Sequence, residues 1–267
     1  MIKLNEQDIN VTLFPDNTSQ VWNVSPDTLY KFSKTKRFAI DWNFTHEGEI
    51  IHLAQLVTLL RNIEPTFSIT LHMDFLPYGR QDKGVANDKT FGLITFANLI
   101  NSLEFDMVTT FDAHSDAPDY LIKNFKNLFP YTLVEGAVNK CNPDMLAFPD
   151  KGAIRRYGKE LAFLGKIHVY GDKERDQQTG HITNYTLHGD VSGRNVLIVD
   201  DICDGGMTFI HLAKALLTNG AKSVNLYTTH GIYSKGLRPL REAKIERIFN
   251  KAGEVGEIQG HITIQEY

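Results

Sequence analysis

Short apolar runs and longer stretches of helical spacing take turns along this chain. Arg37–Trp42, Phe67–Phe75, Asp106–Phe111, Met145–Pro149, Lys166–Tyr170, Asn195–Val199 and Ser223–Thr229 have the length and apolar content of strands. Between them lie amphipathic segments. Glu49–Arg61 is amphipathic, with Ile50, Ile51, Leu53, Leu56, Val57, Leu59 and Leu60, and Phe91–Leu103, Pro118–Asn127, Gly152–Leu164 and Thr208–Asn219 read as further helices. Strand and helix in alternation predict an α/β fold, with two doubly wound subdomains and mainly parallel sheets. The boundaries fall at 1–128 and 129–254, with a joint near 128–140. Residues 255–267 alternate apolar and polar, and read as a terminal strand able to complete the first subdomain. The polar stretch Gln177–Ser192 reads as a hairpin or a mobile flap around a strand-like Thr183–Leu187.

The run Val196–Val199 is aliphatic throughout, as in a strand buried on both faces. The adjacent carboxylates Asp200 and Asp201 are expected at its end, followed by Asp204, Gly205, Gly206, Met207 and Thr208, and then by helical spacing from Phe209 to Leu217. A glycine loop opening a helix suits phosphate, because unused backbone N–H groups and the helix dipole both favour an anion. An acidic pair beside it can accept hydrogen bonds from vicinal ribose hydroxyls or join a Mg²⁺ shell. Together they describe a site for a ribose 5-phosphate group.

This loop resembles the phosphoribosyl-pyrophosphate (PRPP) loop of type I phosphoribosyltransferases and ribose-phosphate pyrophosphokinases. There an aliphatic run, Asp-Asp and two variable positions lead into Asp-Thr-Gly-Gly-Thr. Asp200, Asp201, Asp204, Gly206 and Thr208 match; Gly205 replaces the usual Thr, and Met207 the second Gly. Four further segments follow the order of the pyrophosphokinases. Leu76–Lys83 resembles their Pro-Tyr-(Ala/Gly)-Arg-Gln-Asp segment, which implies an ATP-binding role for Arg80, Gln81 and Asp82. Val108–Asp116 resembles Thr-Xaa-Asp-Leu-His, and implies that Asp112 and His114 meet Mg²⁺–ATP. Ala147–Ala153 resembles Ser-Pro-Asp-Xaa-Gly-Gly, and implies a metal or ribose contact for Asp150. Gly171–Asp176 resembles Asp-Lys-Arg-Arg, and implies that Lys173 and Arg175, with His114, act on the phosphoryl group in flight. On residues alone, the last two segments read equally as a Pro-Asp-Lys-Gly turn and a charged, solvated turn. More loosely, Phe14, Asp16 and Thr18 follow a Phe-Xaa-Asp-Xaa-Glu hairpin with Thr18 in place of Glu. In that family the aromatic packs on the adenine of a neighbouring subunit, which implies an ATP contact for Phe14 and Asp16 and a homodimer or higher homo-oligomer.

The resemblance implies an ATP-dependent pyrophosphokinase that uses Mg²⁺ and acts on a ribose 5-phosphate group. Two acceptors stay open: ribose 5-phosphate, and ADP-ribose, as in short phage-type members linked to NAD salvage. A type I phosphoribosyltransferase and a catalytically inactive regulatory homologue are the other readings. The chain is shorter than typical members, and Gly84–Lys89 replaces their Arg-rich regulatory loop, so control by ADP and phosphate is not implied.

Composition narrows the partners. The chain has 267 residues, 42% of them hydrophobic, with a net charge of −4. Nothing in that balance calls for nucleic acid or a membrane surface, so small molecules are the expected partners. Cys141 and Cys203 form neither a metal spacing nor a disulfide framework. The first residues lack a signal-peptide core and no apolar run is long enough to span a bilayer, so a cytoplasmic protein is expected.

Overall fold

The computed structural model describes residues 1–22, 24, 36–83, 90–175 and 182–256, with backbone alone at 173–175 and 182–184. The chain divides into two compact units, Met1–Phe129 and Pro130–Tyr267.

The first unit opens with β1 (Ile2–Leu4), β2 (Gln7–Asp8), and a hairpin of β3 (Asn10–Leu13) and β4 (Ser19–Trp22). Then follow β5 (Arg37–Trp42), α1 (Glu49–Ile63), β6 (Ser68–Met73), α2 (Gly92–Ser102), β7 (Met107–Phe111), α3 (Ala117–Leu121) and β8 (Phe125–Leu128). Its six-stranded sheet has the order β2-β1-β5-β6-β7-β8. From β5 to β8 all pairs are parallel, and the chain crosses the sheet in one direction. The strands alternate in burial: Phe38, Ile40 and Trp42 of β5 face the core with Ile69, Leu71 and Met73 of β6. Helix α1 closes over them with Leu53, Leu56 and Leu60. The Trp42 indole N–H donates to the buried Glu49 carboxylate at 2.9 Å, so that ring is buried with its polar atom satisfied.

The second unit contains α4 (Tyr131–Cys141), β9 (Met145–Phe148), α5 (Lys151–Glu160), β10 (Ile167–Arg175), β11 (Ile182–His188), β12 (Asn195–Cys203), α6 (Met207–Thr218), β13 (Ser223–Gly231), α7 (Arg238–Glu242), β14 (Ile245–Asn250) and β15 (Gly253–Glu254). Its sheet runs β11-β10-β9-β12-β13-β14-β15. The chain leaves β9 toward β10, then returns to the other side of β9 to lay down β12 and β13. That reversal places a topological switch point between β9 and β12, and the crevice at the carboxyl ends of such strands is where open α/β sheets bind ligands. Leu197, Ile198 and Val199 of β12 and Leu146, Ala147 and Phe148 of β9 are all fully buried, as central parallel strands require.

Two expectations need correction, the single helix at 118–127 and the end of strand β12, and the stretch expected as a joint contains both the division between the units and a helix. Pro118–Asn127 is not one helix. The helix ends at Leu121, Asn124 takes a left-handed conformation (φ 54°), and Phe125–Leu128 is the edge strand β8. The joint near 128–140 is largely the helix α4, whose Val134, Ala137 and Val138 are buried at helical spacing and whose end is marked by left-handed Asn142. Strand β12 does not stop at Val199 but continues to Cys203, so the acidic pair lies inside the strand. The expected terminal strand at 255–267 falls, from residue 257 on, outside the described residues. Among the described residues, no helix is long and apolar enough to cross a membrane.

Candidate active site

In the second unit the carboxyl ends of β9 and β12 bring together Asp150, Asp200 and Asp201. Asp150 is the N-cap of α5: its Oδ1 accepts from the Ala153 N–H at 3.0 Å. One turn along the same helix, Arg156 reaches the acidic pair. Its Nη2 donates to Asp201 Oδ1 at 2.7 Å and to Asp200 Oδ1 at 3.2 Å. The two carboxylates are not equivalent. The Asp201 side chain is 3% exposed and that of Asp200 is 15% exposed, so Asp200 is the one open to a ligand. Burial, and then the neighbouring Asp201 carboxylate, push Asp200 well above the usual carboxylate range against the pull of Arg156.

The loop after β12 holds the residues expected to bind the anion, Asp204–Thr208. Gly206 precedes α6 with φ 76°, and a β-carbon there would also press to 3.0 Å on Leu240 Cδ2, so only glycine fits without strain. Asp204 is exposed and its Oδ1 accepts from the Ser234 hydroxyl at 2.6 Å, which ties the loop to the segment after β13. Gly205 is half-buried, and a β-carbon on it would make ordinary contact with the Lys235 stem at 3.6 Å. Met207, the first helical residue, is 51% exposed, and Thr208 is half-buried beside it. The hydrogen-bond ladder of this helix starts with Phe209 and Ile210, whose N–H groups both donate to Gly206 O at 3.0 Å, so the N–H groups ahead of it and the positive dipole end are what the turn offers a phosphate.

Lys173 and Arg175 lie near the end of β10, and the main chain of Lys173 pairs with Tyr185 of β11. Their side chains are outside the described part of the structure. The opposed face of the ribbon base holds Lys151 to Asp172 at 2.5 Å and stacks Tyr170 on His188 at 4.6 Å between ring centroids.

In the first unit, β6 and β7 are adjacent and parallel, so the segments that follow them leave the same edge of the sheet. After β6 the chain makes consecutive turns, with Tyr78 at φ 61° and the Gln81 N–H donating to Tyr78 O at 2.8 Å. Arg80 and Gln81 are exposed and Asp82 is half-buried. The Gln81 side chain lies over Gly92 at the start of α2, where a β-carbon would come to 2.2 Å of its Oε1. After β7, Asp112 is buried and left-handed at φ 53°, with His114 half-buried two residues on. A buried, non-glycine residue held in that conformation at a strand end is the kind of strain that gathers at functional sites. Phe14, Asp16 and Thr18 form the tip of the separate β3–β4 hairpin, where Asp16 Oδ1 accepts from the Thr18 N–H at 3.0 Å and its hydroxyl at 2.7 Å. Strand β4 is docked on α1: Gln55 accepts from the Val21 N–H and donates to Ser19 O.

Among the described residues, no three of His, Cys, Asp and Glu are gathered as a metal cage. Asp112 offers the hard oxygen that Mg²⁺ prefers, and this donor set fits an ion held mainly by the phosphates of a nucleotide.

Residues 149–256 match the phosphoribosyl transferase domain. A ribose-phosphate pyrophosphokinase of Agrobacterium fabrum is 31% identical over 195 residues, which are 69% of this chain and 61% of that protein. One from Pyrococcus abyssi is 29% identical over 183 residues, 68% of this chain and 61% of that protein. The chain is similar to the ribose-phosphate pyrophosphokinases over these stretches. It spans less than two thirds of the length of these two relatives. The fold agrees: the crystal structure of phosphoribosylpyrophosphate synthetase from Mycobacterium smegmatis superposes with a TM-score of 0.72, covering 91% of this chain and 79% of that one at 19% identity.

The acidic pair Asp200–Asp201 and the glycine loop after it lie inside the matched range. Sequence reasoning did not find Arg156, Ser234 or Tyr185. Arg156 gave no local signal: it stands in the helix that Asp150 caps, outside every contiguous motif.

Proposed function

We propose that this protein transfers pyrophosphate from Mg²⁺–ATP to the anomeric 1-hydroxyl of a ribose 5-phosphate group and releases AMP. The observation that carries the reading is the acidic pair and glycine-led helix at the switch point of the second sheet. Asp200, with Asp201 behind it, accepts hydrogen bonds from the ribose hydroxyls. Arg156 keeps that pair from repelling itself apart. The turn 204–208 cups the 5-phosphate with main-chain donors. In the first unit Arg80, Gln81 and Asp82 take the nucleotide, with Phe14 and Asp16 as its adenine contacts. Asp112 and His114 of the same unit would hold Mg²⁺, which would neutralise charge on the triphosphate; in the second unit, Asp150 would meet a second Mg²⁺ or the ribose. The ribose oxygen forms its bond to the β-phosphorus as the bond from that phosphorus to the α,β-bridging oxygen breaks. The hydroxyl proton is lost and AMP leaves with the electron pair. Lys173 and Arg175 stabilise the charge that builds on the transferring group.

ADP-ribose is the second acceptor, and a specific feature favours keeping it. The exposed Met207 stands beside Gly205, so the cup has an apolar flank and one hydroxyl fewer than the family loop. Incubation with Mg²⁺–ATP and each acceptor, followed by mass spectrometry, tests the reaction. AMP with a pyrophosphorylated sugar is the expected outcome, and no ATP-dependent product from either acceptor overturns it. A phosphoribosyltransferase would instead consume PRPP without ATP. The double change Gly205→Thr with Met207→Gly restores the family loop, and the Lys235 stem leaves room for a β-carbon at 205. It should shift kcat/KM toward ribose 5-phosphate by about tenfold, the worth of one added hydrogen bond. An unchanged ratio means that the loop does not select the acceptor.

A further inference from the structure

Strand β10 is paired with β9 only through Tyr170; from Gly171 onward it is paired with β11. Lys173 and Arg175 therefore ride on a two-stranded ribbon that runs beyond β9. A lone two-stranded ribbon is marginal in water, so its direction must be set by something at its base. Tyr185 is placed to do this. Its main chain is the cross-strand partner of Lys173. Its ring folds back across β10 onto Gly171, where a β-carbon would stand 2.1 Å from the phenol oxygen and 2.4 Å from Cζ. No residue but glycine admits the ring there. The hydroxyl then donates to the main-chain carbonyl of Pro149 at 2.9 Å. Pro149 directly precedes Asp150, the cap of α5. Burial, and then the carboxylates of Asp150, Asp200 and Asp172, push the phenol above its ordinary range, in keeping with a hydroxyl seated beside the turn that presents Asp150. One side chain thus joins β11, β10 and the turn that presents Asp150.

We propose that Tyr185, seated on Gly171 and bonded to the Pro149 carbonyl, is a positioning residue that aims the ribbon bearing Lys173 at the acidic site. The catalytic part of this rests on the pyrophosphoryl-transfer reading; the anchoring part does not. Tyr185→Phe keeps the ring and removes the hydrogen bond. Expected are a kcat lower by about tenfold, KM for ATP and acceptor within about twofold, and a nearly unchanged Tm. In a Lys173→Ala background the same change should add less than about twofold, because the effect passes through Lys173. Amide exchange at Gly171–Asp172 and Thr186–Leu187 should rise in the variant whether or not the enzyme turns over. Gly171→Ala, which displaces the ring, should reproduce both effects. Unchanged exchange in both variants overturns the anchor. Equal losses of kcat in the wild-type and Lys173→Ala backgrounds, or a fall in Tm that accounts for the lost activity, overturn the positioning role. If the wild type shows no transfer activity, the functional reading falls with the positioning role, and the exchange data alone decide the anchor.

Discussion

Asp200 and Arg156 show how a ligand site weighs on stability one residue at a time. Asp200 carries a charge that its surroundings resist, so the folded protein holds a proton there more tightly than the unfolded chain does. Its favourable contribution is fully present below the ordinary carboxylate pKa and is lost as pH rises through the raised one. Asp200→Asn should therefore raise Tm at pH 8 by a few degrees, about what 1 kcal/mol gives in a chain of this size, with the gap closing toward pH 4. Arg156→Ala should act in the opposite sense. It leaves two adjacent, mostly buried carboxylates without their shared cation, and breaking such a set costs about 3 kcal/mol. Thermal melts of both variants across pH 4 to 8 check the pair, and a parallel response of the two would refute this account. The thiol of Cys203, at the end of the same strand, is pushed up to about 12 by burial and then by the Asp204 and Asp200 carboxylates, so it stays a thiol across this pH range.

Elements differ in how much of them could be read from the chain. Strand β5 is found where its alternation places it, Arg37–Trp42, because half-buried strands write their period into the sequence. Helices α1, α2 and α6 match to within two residues for the same reason at period 3.6. Where the sequence misled, tertiary context decided. Strand β12 carries Asp200 and Asp201 inside a sheet because Arg156 and the parallel pairing with β13 hold them there, and neither is visible in local pattern. Helix α4 was obscured by its short apolar set, and the β8 edge strand by the single left-handed Asn124. Of the candidate site, the residues found from sequence are those in contiguous motifs; Arg156, Ser234 and Tyr185 come from other elements and meet the site only through the fold. The ribbon of β10 and β11 is the element on which catalysis should depend most. Lys173→Ala should lower kcat by about 10²–10³, the effect of removing one preorganised donor to transition-state charge, while ATP affinity stays within a few-fold. Single-turnover AMP release with a separate ATP-binding titration measures the two, and near-normal turnover removes Lys173 from the mechanism.

At the scale of the whole molecule, the β3–β4 hairpin is the feature that the chain leaves unfinished. Among the described residues it exposes Leu13 by 75% and Trp22 by 57%, with Val11 and Phe14 also open. By strand register Val11 and Leu13 lie on one face and Trp22 on the other, so the arm is apolar on both sides. Its base is anchored: Gln55 of α1 bonds both the N–H of Val21 and the carbonyl of Ser19, and the Ser19 hydroxyl meets His52 Nε2 at 2.7 Å. A firmly held arm with exposed apolar side chains on both faces, Leu13 toward its tip and Trp22 at its base, is a poor surface feature for a monomer and a good one for insertion against a partner. We propose that the partner is a second copy of this chain, which would also bring Phe14 to a neighbour's nucleotide. Leu13→Asp with Trp22→Asp adds two charges at exposed positions, so the fold should stand while assembly weakens. Light scattering should show the wild type as a dimer or larger and the variant as a smaller species. If Phe14 completes a neighbour's nucleotide site, KM for ATP should rise in the variant by tenfold or so as that contact is lost, while kcat at saturating ATP changes less. A wild type that is monomeric and fully active at nanomolar concentration, or a variant with unchanged mass and KM, would show that the arm serves neither assembly nor the nucleotide.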